Sequence, residues 1–393
     1  MKWKNKGHEL DLYAEDLLQK PNLKMKYYIF GAGMLGREML IVLNKYGCMA
    51  SFIDNNTDKQ GIKIEGFDVI SLDQYLQLRD GQIIVAVSIK NSPMIVKQLE
   101  ANLLEKGKDF WLYTEFDNFV FPIVSTYGYD RSYMALAQIT LTERCTLKCK
   151  KCAHGCYATD HKTSKDLELE QVYESADSFF SKVDFVKEFV LIGGEPLLYK
   201  KMVSAIQYIG KKYRNQIGIF SITTNGTILP NEDYFNVCKD YNVLFRISNY
   251  SQQIPQLKEK YKRLIKVLQE HDICYFLGNE ESEWMDYGFE YLERMDNEDQ
   301  LIKVFDSCKT PCREVRGNKL YYCVMARSVS DNLGYNVGSE DYLDLNKLDI
   351  KNYKKELLEF NLGYSHKGYL DMCKYCHGSE AKNHPIPVAE QME

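Results

Sequence analysis

A chain of 393 residues, 45% hydrophobic and 27% charged, exceeds one ordinary core and predicts two or three domains. A net charge of −5 excludes a global electrostatic pull toward nucleic acid or an anionic membrane. No apolar run approaches the roughly 18 residues of a membrane-crossing helix.

The N-terminus, "MKWKNKGHELDLYAEDLL", has early lysines but no apolar h-region and no small-residue cleavage site. It predicts a short amphipathic helix rather than a signal peptide, and hence a cytoplasmic protein. Strand and helix then alternate. "KYYIFGAG" is a strand running into glycines, "REMLIVLNKYG" has helical spacing, and "MASFIDNN" and "GQIIVAVSI" are further strands. "SPMIVKQLEANLLEKG" is an amphipathic helix before a short strand at "DFWLY". This βαβ series defines a first domain over residues 1–125, a small parallel sheet with flanking helices. The polar, aromatic stretch 121–133 predicts a linker.

A second series occupies 130–300. Strands are expected at "LAQITLTE", "KEFVLIGG", "IGIFSITTN", "NVLFRISNY" and "ICYFLG". Between them lie helical stretches such as "LEQVYESADSFFSK", "KKMVSAIQYIGKKY" and "IPQLKEKYKRLIKVLQEH". Repeated βα units predict an α/β fold with a closed or partly closed parallel barrel, whose pocket lies at the carboxyl ends of the strands. From 301 to 393 the periodicity fades and cysteines accumulate, as in a cap organised by a metal centre.

Disulfides are rare in a reducing compartment, so twelve cysteines point to metal ligation. Cys48, Cys238 and Cys274 stand singly in apolar surroundings and fit core thiols. In "ERCTLKCKKCAHGC", Cys145, Cys149 and Cys152 form C-x3-C-x2-C. Three thiolates at that spacing suit a [4Fe–4S] cluster with one iron left open, whereas structural zinc wants four closed ligands. Cys156 could supply a fourth thiolate, so spacing alone leaves zinc open.

"VLIGGEPLL" ends the next strand in Gly193, Gly194, Glu195 and Pro196. Two glycines let a ligand approach bare backbone, and a carboxylate accepts from an ammonium. With C-x3-C-x2-C on one strand and GGEP on the next, residues 135–300 resemble the radical S-adenosylmethionine (SAM) superfamily. The resemblance implies a partial (βα)6 barrel in which Cys145, Cys149 and Cys152 hold the cluster and SAM chelates the open iron. It further implies that Gly193, Gly194 and Glu195 hold the amino end of SAM. Thr224 and Asn225 in "ITTNG", and Arg246, Ser248 and Asn249 in "RISNY", become candidates for its ribose or carboxylate. A flavodoxin- or ferredoxin-type reductant is implied as partner. The residue before the third cysteine, usually aromatic in this superfamily, is Lys151. His154 and Tyr157 are the nearest rings that could replace it.

Cys308, Cys312, Cys323, Cys373 and Cys376 suit either a four-cysteine zinc site or a second [4Fe–4S] cluster. Following such a barrel, they resemble a Twitch-type auxiliary-cluster domain, the shorter relative of SPASM, in which four of the five ligate. Cys323, Cys373 and Cys376 are the firmer three, and Cys312 is favoured slightly over Cys308 for the fourth place. Such a cluster relays an electron or anchors the fold.

In the first domain, Gly31, Gly33 and Gly36 form G-x-G-x-x-G between a strand and a helix, with Asp54 ending the second strand. That context suits a phosphate at the helix N-terminus and a ribose hydroxyl at the carboxylate. The segment also resembles small Rossmann-like domains fused to sugar-modifying enzymes of surface-polysaccharide pathways, which implies a bound nucleotide or nucleotide sugar. The alternative is a degenerate Rossmann domain used for assembly.

Together these resemblances imply reductive cleavage of SAM and hydrogen abstraction from a sugar or nucleotide-linked sugar, for dehydrogenation or epimerisation. An epimerase needs a thiol hydrogen donor, for which Cys274 is the candidate. A peptide-modifying maturase and a non-enzymatic Fe–S or zinc module are the alternatives.

Overall fold

Short apolar segments following amphipathic helices build two parallel sheets in the chain, here a computed structural model. It describes residues 8–20, 26–159, 166–279, 283–289, 297–308, 310–363 and 367–392. The chain forms two units that divide between Ala135 and Leu136.

In the first unit, helix α1 (His8–Leu18) precedes β1 (Lys26–Phe30), α2 (Met34–Lys45) and β2 (Met49–Ile53). There follow β3 (Lys63–Ile64), β4 (Phe67–Ile70), α3 (Leu72–Leu78), β5 (Gln82–Val85), α4 (Ser92–Ala101) and β6 (Phe110–Leu112). The strand order is β3-β4-β2-β1-β5-β6, and all neighbours except the β3–β4 pair are parallel. The direction of progression reverses between β1 and β5, which places the crevice at the glycine loop and the loop after Val85.

The expected linker is a helix. Single α turns α5 (Tyr113–Glu115) and α6 (Phe121–Ile123) alternate with wider π turns at Phe116–Val120 and Val124–Gly128. Its apolar face is a core element, with Phe116, Val120, Phe121, Ile123 and Val124 all fully buried. Pro122 removes one backbone donor from the middle of this helix, a place where a widened turn relieves the ladder.

The second unit begins on β7 (Tyr133–Thr140). It continues through α7 (Leu169–Phe180), β8 (Phe185–Ile192), α8 (Met202–Tyr213), β9 (Ile217–Thr224), α9 (Glu232–Asp240), β10 (Val243–Ile247), α10 (Leu257–Glu270) and β11 (Tyr275–Leu277). Next come β12 (Glu283–Met285), α11 (Glu298–Ser307), β13 (Arg313–Arg316), β14 (Lys319–Tyr321), α12 (Val324–Leu333), β15 (Tyr342–Asp344), α13 (Tyr353–Asn361) and β16 (Pro385–Pro387). One eight-stranded sheet runs β11-β10-β9-β8-β7-β13-β14-β15. Because β13 lies parallel to β7, the segment from 301 onward shares a sheet with the βα series rather than standing apart from it.

Helix α7 seats Phe179 and Phe180 on Phe189 of β8. Side chains alternate along a strand, so Glu188 and Val190 face the opposite side of the sheet. Among the described residues, no helix is long and apolar enough to cross a membrane.

Candidate active site

The cysteine loop leaves β7 and is clamped by the end of β8. Gly194 N–H donates to Thr142 O at 2.8 Å, and Glu195 N–H to Arg144 O at 2.7 Å. A Cβ on Gly194 would lie 2.4 Å from Arg144 O and 2.9 Å from Cys145 Cβ. The glycine pair is therefore required by the close approach of the cysteine loop itself. Arg144 is tied down in turn by Asp166, at 2.9 and 2.7 Å.

Cys145, Cys149 and Cys152 lie within one electrostatic neighbourhood. Burial pushes the Cys145 thiol up to about 12 and Cys149 up to about 11, with mutual repulsion among the three sulfurs adding to the rise. Each sulfur nevertheless receives donors. Leu147 N–H and the Asn225 side-chain amide reach Cys145 Sγ, each at 3.5 Å. The Gln391 amide reaches Cys149 Sγ at 3.2 Å. A hydrogen bond from Cys156 is the largest influence holding Cys152 below its ordinary value. Cys156, which the sequence offered as a possible fourth thiolate, thus lies against Cys152. Among the described residues, no three His, Cys, Asp or Glu side chains converge closely enough to hold a single metal ion.

Glu195 is fully buried, and its carboxylate accepts from Leu197 N–H, the Thr224 hydroxyl and Asn225 N–H at 3.1, 2.8 and 2.8 Å. Those bonds join the ends of β8 and β9. Burial raises Glu195 to about 7 against the opposing pull of those donors. Thr224 is likewise committed, donating to Glu195 and accepting from Gly226 N–H. Asn249 donates to Gly278 O and accepts from Ser251, closing the end of β10. Ser248 N–H pairs with Thr224 O, and its hydroxyl meets Tyr250. Arg246 is held by Glu188 through two bonds. Of the strand-end residues singled out from sequence, Asn225 has a side chain on a cluster thiol.

Beside Cys152 lies a cavity of about 340 Å³ lined by Lys151, His154, Tyr250, Glu283, Trp284 and Tyr287, among others. Lys151 adopts a left-handed backbone (φ 56°) and pairs with Asp286 at 3.3 Å. Where an aromatic was expected, a lysine pins the far wall. The rings come from that wall: Trp284 packs edge-on against Tyr250, centroids 5.5 Å apart. His154 lines the cavity, whereas Tyr157 is absent from its lining. Trp284 escaped sequence reasoning because it lies in no motif, and Tyr250 was passed over although it ends the quoted "RISNY".

Residues 139–273 match the family model described as the Radical SAM superfamily. The chain carries a radical SAM domain. Curated relatives are two proteins named GTP 3′,8-cyclase. That of Ectopseudomonas mendocina (strain ymp) is 31% identical over 107 residues, 27% of this chain and 30% of its own length. That of Rhizobium etli (strain CIAT 652) is 28% identical over 113 residues, 28% of this chain and 30% of its own length. The chain thus matches less than a third of each relative. Among solved structures, native anSMEcpe with bound AdoMet matches 63% of this chain and 86% of its own, at 14% identity and TM-score 0.40. BtrN in complex with AdoMet and 2-DOIA matches 66% and 97%, at 14% identity and TM-score 0.38.

Downstream of the radical SAM domain, the remaining cysteines sort themselves. Cys373 is pushed up first by burial, then by Cys376, Cys323 and Cys308. Cys323 is raised by burial and then by Cys308 and Cys376. Cys312 meets a different set, Arg313, Glu188 and Glu314, because it shares strand parity with Glu314 on β13. Cys308 thus shares the neighbourhood of Cys323 and Cys373, while Cys312 joins Cys376, Cys308 and Cys323 around Tyr287. Cys274 is exposed, with Asn242 Oδ1 4.0 Å from its sulfur, and is remote from the cysteine loop in sheet position.

In the first unit, a Cβ on Gly36 would lie 2.1 Å from Gly31 O, so these two glycines serve helix–strand packing. Gly33 caps α2 and has open space around it. Asp54 turns back, accepting from Ala32 N–H at 3.0 Å and Lys59 at 2.9 Å, and those contacts hold it below its ordinary value against burial. Asp54 thereby braces the glycine loop.

Proposed function

We propose that this chain is a radical SAM oxidoreductase or epimerase, built on a partial barrel, that abstracts a hydrogen atom from a sugar or nucleotide-linked sugar. The observation that carries the reading is the donor set on Cys145, Cys149 and Cys152. Three sulfurs gathered at one strand end are each within reach of a hydrogen-bond donor, and donors to ligating sulfur stabilise a cluster and set its potential.

When bound there, a [4Fe–4S] cluster supplies the electron that cleaves SAM to methionine and a 5′-deoxyadenosyl radical. The chain's own residues do the rest. Gly193 and Gly194 hold the cysteine loop against β8, Asn225 orients the Cys145 sulfur, and Trp284 and Tyr250 offer aromatic surface beside Cys152 for an adenine ring. Lys151 and Asp286 hold that wall closed against water. Cys308, Cys323, Cys373 and Cys376 are the ligands of a Twitch-like auxiliary cluster. The first unit offers its glycine loop to a nucleotide. A flavodoxin- or ferredoxin-type protein is the electron donor.

Anaerobic reconstitution tests the reading. Dithionite and SAM should give 5′-deoxyadenosine, and replacing Cys145, Cys149 and Cys152 by alanine should abolish it. Reconstituted chain that binds iron yet yields no 5′-deoxyadenosine overturns it.

A further inference from the structure

The face of the large sheet turned away from α7 is polar where a buried sheet face is ordinarily apolar. Register places Gln138 beside Glu314, and alternation puts Thr140 and Arg316 on the same side. Glu188 and Arg246 share it from β8 and β10, with Ser221 donating to Glu188 at 2.6 Å. From α12, Arg327 reaches down onto Glu314 and onto Glu143, the latter at 2.6 Å.

Two features of this face point to a ligand. The first is unmet hydrogen bonding. Thr140 is fully buried and its hydroxyl has no partner; the same holds for Arg316 Nε and for Nη2 of Arg327, which is 2% exposed. Each such group costs about 1–3 kcal/mol if left unpaired. The second is charge balance. Arg246 is answered by Glu188, while Arg316 lies 3.9 Å from both Glu143 and Glu314, the two carboxylates that also answer Arg327. Asp331 also lies 3.4 Å from Arg327, so three guanidiniums meet four carboxylates and the face offers donors and acceptors with no excess positive charge. A carboxylate or phosphate brought here would face as much repulsion as attraction. A hydroxyl group can accept from a guanidinium and donate to a carboxylate at once.

Resting on the radical SAM reading above, we propose that this face is the floor of the substrate site. Thr140, Glu314 and Arg316 then select an uncharged, hydroxyl-rich ring over an anionic one.

UDP-glucose and UDP-glucuronate are matched probes, sharing a nucleotide and differing in the charge of the ring. Each is titrated into the reconstituted full chain with SAM under anaerobic conditions, with dissociation constants measured by equilibrium dialysis. UDP-glucose should bind about tenfold tighter or more. Thr140→Val, which keeps the shape and deletes the hydroxyl, should weaken UDP-glucose about tenfold, as loss of one buried hydrogen bond implies. Glu314→Gln removes one negative charge from the face and should shift the ratio about tenfold toward UDP-glucuronate. Thr140→Val removes an unpartnered group, so it remains a usable variant even if Glu314→Gln does not fold. Tighter binding of UDP-glucuronate to the wild type, binding of neither probe, or indifference to Thr140→Val overturns the proposal. Selective binding without any 5′-deoxyadenosine would instead overturn the radical reading and leave the floor standing.

Discussion

Gln391 places its side-chain amide 3.2 Å from the sulfur of Cys149, across 242 positions of sequence. The contact belongs to a longer seam. Lys150 N–H donates to Glu390 O and Met392 N–H to Lys148 O, each at 2.7 Å, so the tail lies antiparallel to the cysteine loop. Val388 and Ala389 bury themselves against Cys149, and β16 pairs with β12, which carries Trp284. The tail thus joins a proposed cluster ligand to the wall of the adjoining cavity.

Gln391→Leu should therefore change the cluster and not merely the tail. A hydrogen bond to a ligating sulfur favours the reduced, more negative state, and about 1 kcal/mol corresponds to a few tens of millivolts for one electron. The midpoint potential of the reconstituted chain, followed by electron paramagnetic resonance, should move negative by that amount. An unchanged potential with intact iron content would reduce Gln391 to a packing residue.

The buried carboxylate of Glu195 yields a pH dependence of definite sign. Burial raises it from 4.5 to about 7, so between those values the folded chain keeps a proton that the unfolded chain has released. Its contribution to stability is present below pH 4.5, is lost as pH rises through 7, and amounts to at most about 3 kcal/mol. Glu195→Gln stays neutral throughout and should lose that decline in urea midpoint between pH 5 and pH 8. A variant with the wild-type slope would assign the titration to another group.

How much of this was legible in the sequence depended on how local each signal is. Cys145, Cys149 and Cys152 stand within eight consecutive positions, and GGEP ends one strand, so the motifs could be found without the fold. Side-chain direction could not. Glu195 and Asp54 are the expected residue types at the expected strand ends, yet both turn toward protein N–H groups that only the folded loop presents. Gln391 and Trp284 reach the site through strand pairing over long separations, which leaves no periodicity to read. The helix at 113–128 was missed because its proline and polar residues mimic a linker, although its apolar positions fill the core.

Cys308 and Cys312 compete for the fourth place in the proposed auxiliary cluster. Cys308→Ala should lower the iron content of the reconstituted chain by about the four atoms of one cluster, with Cys145, Cys149 and Cys152 still loaded. Cys312→Ala should retain both clusters, since its sulfur faces Glu188 and Glu314. Iron analysis and Mössbauer spectra of the two variants distinguish them. Loss of iron from Cys312→Ala alone would restore the preference drawn from spacing.

Trp284 supplies the last test, because it offers aromatic surface where the superfamily pattern would place a ring at position 151. Lys151 cannot stack as an aromatic, and its ammonium is engaged with Asp286. The Trp284 ring packs against Tyr250 and lines the cavity beside Cys152. Aromatic stacking on a ligand ring contributes about 0.5–1.5 kcal/mol beyond area burial, so Trp284→Ala should weaken SAM binding by about tenfold or more and Trp284→Phe by less. Equilibrium dialysis with labelled SAM on the reconstituted chain measures both. A Lys151→Phe, Trp284→Ala double variant should recover part of the loss if the adenine lies between these two positions. Equal affinities across wild type, Trp284→Phe and Trp284→Ala would move the adenine elsewhere and leave Trp284 as a brace for the strand pair it shares with the tail.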